Sequence, residues 1–405
     1  MKKLFCTIVC LLLAMFTLVS CGDVDRSEWL GDGKDSDGKI QGGNYHGYNT
    51  VVDVPQISLN LYIIVEDETW EGKELADKQG KLGVVTQATN TVSTAVKDYT
   101  ETNYQTLLNV VYVKASEYDS VVLDAVKAGN DEAKAANIVL VNSYALMQDL
   151  YATGKLCSLS AYLDTTAYGQ LNTKITPSLL EASKIDGNLY SIPNNHVVGM
   201  YEYLLINKNV AKACNVSESQ VKAFASYDEA YAELSKSSAF DNSDGSAVAL
   251  VSGYYEDRVT YDEQGYYCVV VKNPIADKNE AFLSAFAIVD RNVKDGKVDI
   301  NNRAMQIIYD LNTKTELRNI LQYGVAGTNY RLDDNRSDVV SELLVGNNGV
   351  NLYKMNLLYT GNIFNAFVCD EIDWTEDAIK NAIAQNKDSV TVEAFENKND
   401  STAEE

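Results

Sequence analysis

Two histidines, His46 and His196, stand in a chain of 405 residues with 57 aspartates and glutamates. A Ser-His-Asp triad or a histidine-based metal site would need one of them, and no Gly-x-Ser-x-Gly accompanies either. Cys157, Cys214, Cys268 and Cys369 are widely scattered, with no Cys-x-x-Cys. That spacing argues against zinc and thioredoxin-like chemistry. Free buried thiols are expected, with one disulfide left open. Gly33, Gly38 and Lys39 imitate a phosphate loop, but Ile40 stands where Ser or Thr is needed, and no strand pattern precedes it. Asp35 and Asp37 lack the rest of a calcium loop. Carboxylates are abundant, yet sequence alone cannot pair two of them as acid and base. No catalytic residue, metal or cofactor is assigned, and the chain is not expected to be an enzyme.

Recognition chemistry is better supplied. The chain has 26 Tyr against 9 Phe and 3 Trp, which gives many aromatic faces with a polar tip. Several lie in polar stretches that directly follow apolar runs. Glu68 and Trp70 follow 59–65. Asn142, Ser143 and Tyr144 follow 137–141. Asn194 and Asn195 follow Pro193, and Tyr254 and Tyr255 follow 247–251. Each has a plain alternative. Trp70 either stacks on a ligand or packs on the next helix. Glu68 is either an acceptor or a solvated charge. Asn194 and Asn195 either bind ligand or satisfy the backbone around Pro193. His196 is expected to be structural rather than a ligand contact.

Elements must bring these loops together. Residues 59–65, 107–113 and 137–141 are β-branched and apolar, so they read as buried strands. Between them, 82–99 and 118–128 read as helices, the first with Leu82, Val85, Ala88, Val92 and Val96 on one face. That alternation predicts a parallel sheet with right-handed crossovers. Ligands then lie beyond the carboxyl ends of the strands, which nominates the loops 66–70 and 142–144. The stretch 184–209, KIDGNLYSIPNNHVVGMYEYLLINKN, reads as a strand, a polar interruption and a second strand. It suits a chain crossing from one lobe to another, or an ordinary hairpin within one domain. Residues 247–251 read as a strand, 261–271 as a hairpin around Gln264-Gly265, and 282–289 as a further strand.

The start of the chain reads as an address. Lys2 and Lys3 precede an apolar run, 4–18, that is short for a membrane span. Leu18-Val19-Ser20-Cys21 then matches a bacterial lipobox, with Cys21 as the lipidated residue. A diacylated Cys21 would anchor the chain stably. Residues 22–55 are rich in Gly and Asp and read as a flexible acidic tether. The formal net charge of −23 disfavours nucleic acid and anionic headgroups as partners.

Several segments resemble the extracellular solute-binding proteins of ABC importers, family 1, the sugar-binding type. They are "DGNLYSIP" with "YEYLLINKN", "ANIVLVNSYALMQDLYATGKLCSLSAYL", "AMQIIYDL" with "LRNILQYG", "YGVAGTNY" and "YTGN". They come in the family's order, from about residue 59 to 367. The chain departs from the pattern at Asn137, at Ala326 where many members carry Glu, and at Ile363 where Pro is common. The resemblance adds Tyr323, Tyr359 and Asn362 as ligand-binding candidates.

The resemblance implies an α/β fold of type II periplasmic-binding-protein kind. Each lobe would be a mostly parallel sheet flanked by helices, with the ligand cleft between them. The first lobe would hold 56–195 and 282–324, the second 196–281 and 325–385, with 386–405 a disordered acidic tail. The implied function is capture of a small solute, with an oligosaccharide the first expectation, and its delivery to ABC transporter permease subunits. The protein would be a monomer, lipid-anchored on the outer face of the cytoplasmic membrane. A surface carbohydrate hydrolase and a lipoprotein feeding a membrane sensor are the alternatives.

Overall fold

The computed structural model describes residues 55–66, 82–130, 132–291, 299–347 and 349–392. The expected signal peptide, most of the tether, Cys21, Glu68, Trp70 and the last residues of the expected tail lie outside the described residues.

The first sheet is built as the alternation of apolar strands and amphipathic helices predicts. Strand β1 (Ile57–Val65) leads to helix α1 (Gln87–Tyr104), then β2 (Thr106–Lys114), α2 (Tyr118–Lys127), β3 (Ile138–Val141) and α3 (Tyr144–Ala152). β1 pairs with both β2 and β3 in parallel. Every residue of β3 is buried, as both-face burial requires of a central strand. Helix α1 starts later than expected. Thr86 and Thr89 form a reciprocal capping box, so the helix begins at Gln87. The preceding turn instead lies against β2, where Val84 N donates to Tyr112 O at 2.7 Å.

Helix α4 (Pro177–Ala182) and strand β4 (Ser191–Pro193) precede the crossing. The chain then enters a second sheet through β5 (Tyr201–Asn207), followed by helices α5 (Lys208–Ala213) and α6 (Tyr227–Leu234), β6 (Val248–Gly253), α7 (Asp257–Glu263) and β7 (Tyr266–Lys272). This sheet has the order β6-β5-β7, and both pairings of β5 are antiparallel. The expected mostly parallel sheet in this lobe is therefore corrected: β5 is the central strand, and both of its neighbours run against it. The expected hairpin around Gln264-Gly265 is a helix followed by a strand. α7 ends there, and Gly265 turns the chain at φ +88°.

The return runs through β8 (Ile275–Ala276) and α8 (Lys278–Ala281) to β9 (Ala285–Ile288). β9 inserts antiparallel between β3 and β4, which completes a five-stranded sheet of order β2-β1-β3-β9-β4. Helices α9 (Ile300–Thr313) and α10 (Glu316–Tyr323) follow, then the small ribbon β10 (Tyr330–Leu332) and β11 (Val340–Leu343), helix α11 (Glu376–Asp388) and β12 (Val390–Thr391). Two placements differ from expectation. Tyr353 and Met355, assigned to the second lobe, are buried in the core of the first sheet. Residues 386–392, expected to begin a disordered tail, belong to the fold: Asn386 is 8 % exposed, and β12 pairs in parallel with β8. The second sheet keeps a separate core around Leu204, Ile206, Val221 and Leu234.

Candidate functional site

The carboxyl ends of β1 and β3 carry the polar groups that the parallel-sheet argument nominates. At β1, Glu66 Oε1 accepts a hydrogen bond from Asn356 Nδ2 at 2.8 Å. Tyr359 is half-buried close by: burial pushes its hydroxyl pKa up, and the Glu66 carboxylate adds to the rise. At β3, Ser143 caps α3 by accepting from Leu146 N at 3.1 Å. Tyr144, the first residue of α3, stacks on Phe282 of the return crossing, with ring centroids 5.6 Å apart and planes 10° from parallel. Asn142 lies between strand and cap. Its Oδ1 is buried with no hydrogen-bond partner among the described residues. An orphaned buried acceptor costs about 1–3 kcal/mol, so an added donor would be favoured there. Beside Tyr144 a recess of about 370 Å³ opens between α4, the turn into α8 and β12, with Glu181, Asp277, Lys278 and Asn279 among its walls.

The second sheet presents an aromatic edge at the same crossing. Tyr201 opens β5 and pairs with Gly253, the last residue of β6. Tyr254 and Tyr255 follow it, with Tyr254 46 % exposed. The Arg258 guanidinium lies 4.3 Å from the Tyr201 ring centroid and 4.6 Å from that of Tyr255. Its Nε donates to Tyr203 Oη at 3.0 Å. This cation clamp fixes the aromatic edge, and nothing in the local sequence signals it, because Arg258 of α7 meets rings from β5 and from the turn after β6.

Four candidates lie in the interior of the protein and not on a surface. Asn194 is fully buried; its Nδ2 donates to Ser284 Oγ at 2.9 Å, and its Oδ1 accepts from Asn312 Nδ2 at 3.1 Å. Asn195 Oδ1 accepts from Thr176 N at 3.0 Å, while its Nδ2 donates to Lys174 O at 3.1 Å. Asn362 Nδ2 donates to Asn312 O at 3.0 Å, and its Oδ1 accepts from Phe364 N at 3.0 Å. Tyr323 is fully buried, and its hydroxyl donates to Phe367 O at 2.9 Å. In this structure these side chains serve as supports, because their polar atoms have partners within the protein.

Two residues missed from sequence complete that support. Asn386 Oδ1 accepts from Val198 N at 2.9 Å, and its Nδ2 donates to His196 O at 2.6 Å. Gln385 Nε2 donates to Val198 O at 3.0 Å, and its Oε1 accepts from Tyr255 N at 3.0 Å. Helix α11 thus ties the first crossing to the aromatic edge. Their partners lie about 130–190 residues away in the chain, so no local pattern marks them.

Among the described residues no group of side chains could hold a metal ion, and no helix is long and apolar enough to cross a membrane. Cys157, Cys214, Cys268 and Cys369 are all free thiols.

No family model and no curated protein matches the chain. Solved structures do. One is the N-glycan transport solute-binding protein NgtS from Streptococcus pneumoniae in complex with Man1GlcNAc, at 13 % identity over 83 % of this chain and 84 % of that one, with a TM-score of 0.48. Another is the extracellular solute-binding protein family 1 from Alicyclobacillus acidocaldarius, at 12 % identity over 65 % and 76 %, with a TM-score of 0.34. A third is the GacH receptor of Streptomyces glaucescens, at 12 % identity over 63 % and 78 %, with a TM-score of 0.26. The chain is an α/β protein with two main sheets, and it is similar to these solved solute-binding proteins.

Proposed function

We propose that the chain is a solute-binding protein that captures an oligosaccharide between its two sheets. It then hands the ligand to the permease of an ABC importer. Cys21 anchors it on the outer face of the cytoplasmic membrane. Binding and closure are its whole task, with no bond made or broken.

The observation that carries this reading is the orphaned Asn142 Oδ1, two residues before Tyr144, whose ring stacks on Phe282. A sugar offers a hydroxyl donor for the amide oxygen and a C–H face for a ring. The Ser143 hydroxyl, Tyr359, Tyr254 and Tyr255 extend the polar and aromatic lining, and Glu68 and Trp70 would add to it from the loop beyond β1.

The test is a thermal-shift screen against a carbohydrate and a peptide panel, followed by calorimetric titration of the best ligand. A ligand that binds only the native state raises the melting temperature. An oligosaccharide is expected to do so, and Asn142→Ala should weaken its binding by about 1–3 kcal/mol at near-normal stability. Stabilisation by peptides alone, or unchanged affinity in Asn142→Ala, would overturn the reading.

A further inference from the structure

His196 lies on the first crossing and is 1 % exposed. Its Nδ1 is 2.8 Å from the carbonyl oxygen of Asn194. A carbonyl oxygen only accepts, so Nδ1 carries a proton. In the neutral ring Nε2 is then a bare acceptor. It has no hydrogen-bond partner among the described residues. Another acceptor, Glu280 Oε2, stands 3.8 Å away, on a side chain that is 29 % exposed. Two lone-pair groups this close repel unless one of them holds a proton. A proton on Nε2 converts the contact into a charge-assisted one.

The two residues lie on different crossings. His196 is on the way from β4 to β5, and Glu280 is on α8, on the way back to β9. We propose that His196 and Glu280 form a proton-dependent tie that fastens the two crossings to each other more firmly as the medium becomes acidic. The neutral contact between Asn194 and Ser284 joins the same two segments at any pH. The His196 pair adds the part that varies.

The other charged groups on the surrounding elements are engaged elsewhere. Lys278 of α8 donates to Ala182 O. Asp277 caps α8 through Glu280 N. Glu181 of α4 pairs with Lys184. Asp388 of α11 accepts from the Tyr201 hydroxyl, and Lys387 lies on the same helix. The segment 357–365, which meets the crossing at Asn195 O, carries no charged side chain.

The experiment uses the full chain without ligand, so it stands whether or not the sugar reading does. With only two histidines in the chain, imidazole 15N spectra are readily assigned with His196→Gln. On acidification the wild-type Nε2 of His196 is expected to take up its proton before that of Glu280→Gln does. Hydrogen exchange of amides 194–200 and 277–284, corrected for intrinsic rates, should slow by about tenfold between pH 8 and pH 6 in the wild type. It should stay level in both variants. Proton uptake at the same pH in the wild type and Glu280→Gln, or a Glu280→Gln protein that slows as the wild type does, would overturn the proposal. Should His196→Gln fail to fold, the Glu280 variant still decides, because that side chain is 29 % exposed.

Discussion

Asn386 serves three buried groups at once: it accepts from Val198 N and donates to His196 O and Thr176 Oγ1. Asn386→Ala would leave them without partners, at an expected cost of about 2–4 kcal/mol, measured by urea unfolding. A loss below about 1 kcal/mol would show that water replaces the amide. Asp310 is a second test at this scale. Its carboxylate is fully buried, accepts from the Tyr99 hydroxyl at 3.0 Å and pairs with Lys314 at 3.2 Å. Burial raises its pKa above the ordinary carboxylate value, and the Lys314 charge opposes that rise. A carboxyl with a raised folded-state pKa stabilises most fully below its unfolded value, and that contribution is lost as pH rises through the folded one. Melting curves across the acid range should therefore show Asp310→Asn gaining on the wild type as pH rises from about 4. An Asp310→Asn protein that loses ground to the wild type as pH rises would mean that the Lys314 pair outweighs burial.

At the scale of elements, Gly361 explains why the "YTGN" segment has no side chain at its third position. Its φ is +117°, and an added Cβ would stand 2.3 Å from the Leu311 carbonyl oxygen. The close approach lets Asn362 N donate to Leu311 O at 3.1 Å, which docks the 3-10 turn Leu357–Thr360 on the end of α9. Gly361→Ala is expected to cost about 2–4 kcal/mol through backbone strain and overpacking. Because that turn holds Tyr359, the variant should also weaken ligand binding even where it remains folded. Calorimetry alongside thermal melts separates the two effects. Normal affinity in a destabilised Gly361→Ala protein would remove the turn from the site.

For the whole molecule, the expectation is closure. The two main sheets are joined by crossings at 194–200 and 277–284 and bridged by α11, and these segments would act as the hinge. Small-angle scattering should give a smaller radius of gyration with saturating oligosaccharide than without. An unchanged profile at saturation would argue against movement between the sheets. Anchoring is tested apart from binding. Cys21→Ala should move the protein from the membrane to the soluble or secreted fraction, and unchanged fractionation would end the lipid assignment.

The sequence by itself determined the three parallel strands of the first sheet. Apolar runs of β-branched residues read as buried strands, and the helices between them favour parallel pairing, so β1, β2 and β3 and the loops at their carboxyl ends were legible. The strand, polar interruption and second strand at 184–209 were legible too, because Pro193 and the amides after it interrupt an otherwise strand-like run; that the chain crosses there between sheets was decided by the tertiary structure. What Asn194, Asn195, Tyr323 and Asn362 do was decided only by the tertiary structure. An amide reads the same in sequence whether it meets a ligand or a buried carbonyl, and these four meet Ser284, Thr176, Phe367 and Asn312. The direction of the second sheet was also decided there, since apolar runs carry no mark of strand polarity. So were the Arg258 clamp, the Glu280 partner of His196 and the docking of α11. Each joins residues far apart in the chain, and contacts of that kind exist only once the two crossings have brought the sheets together.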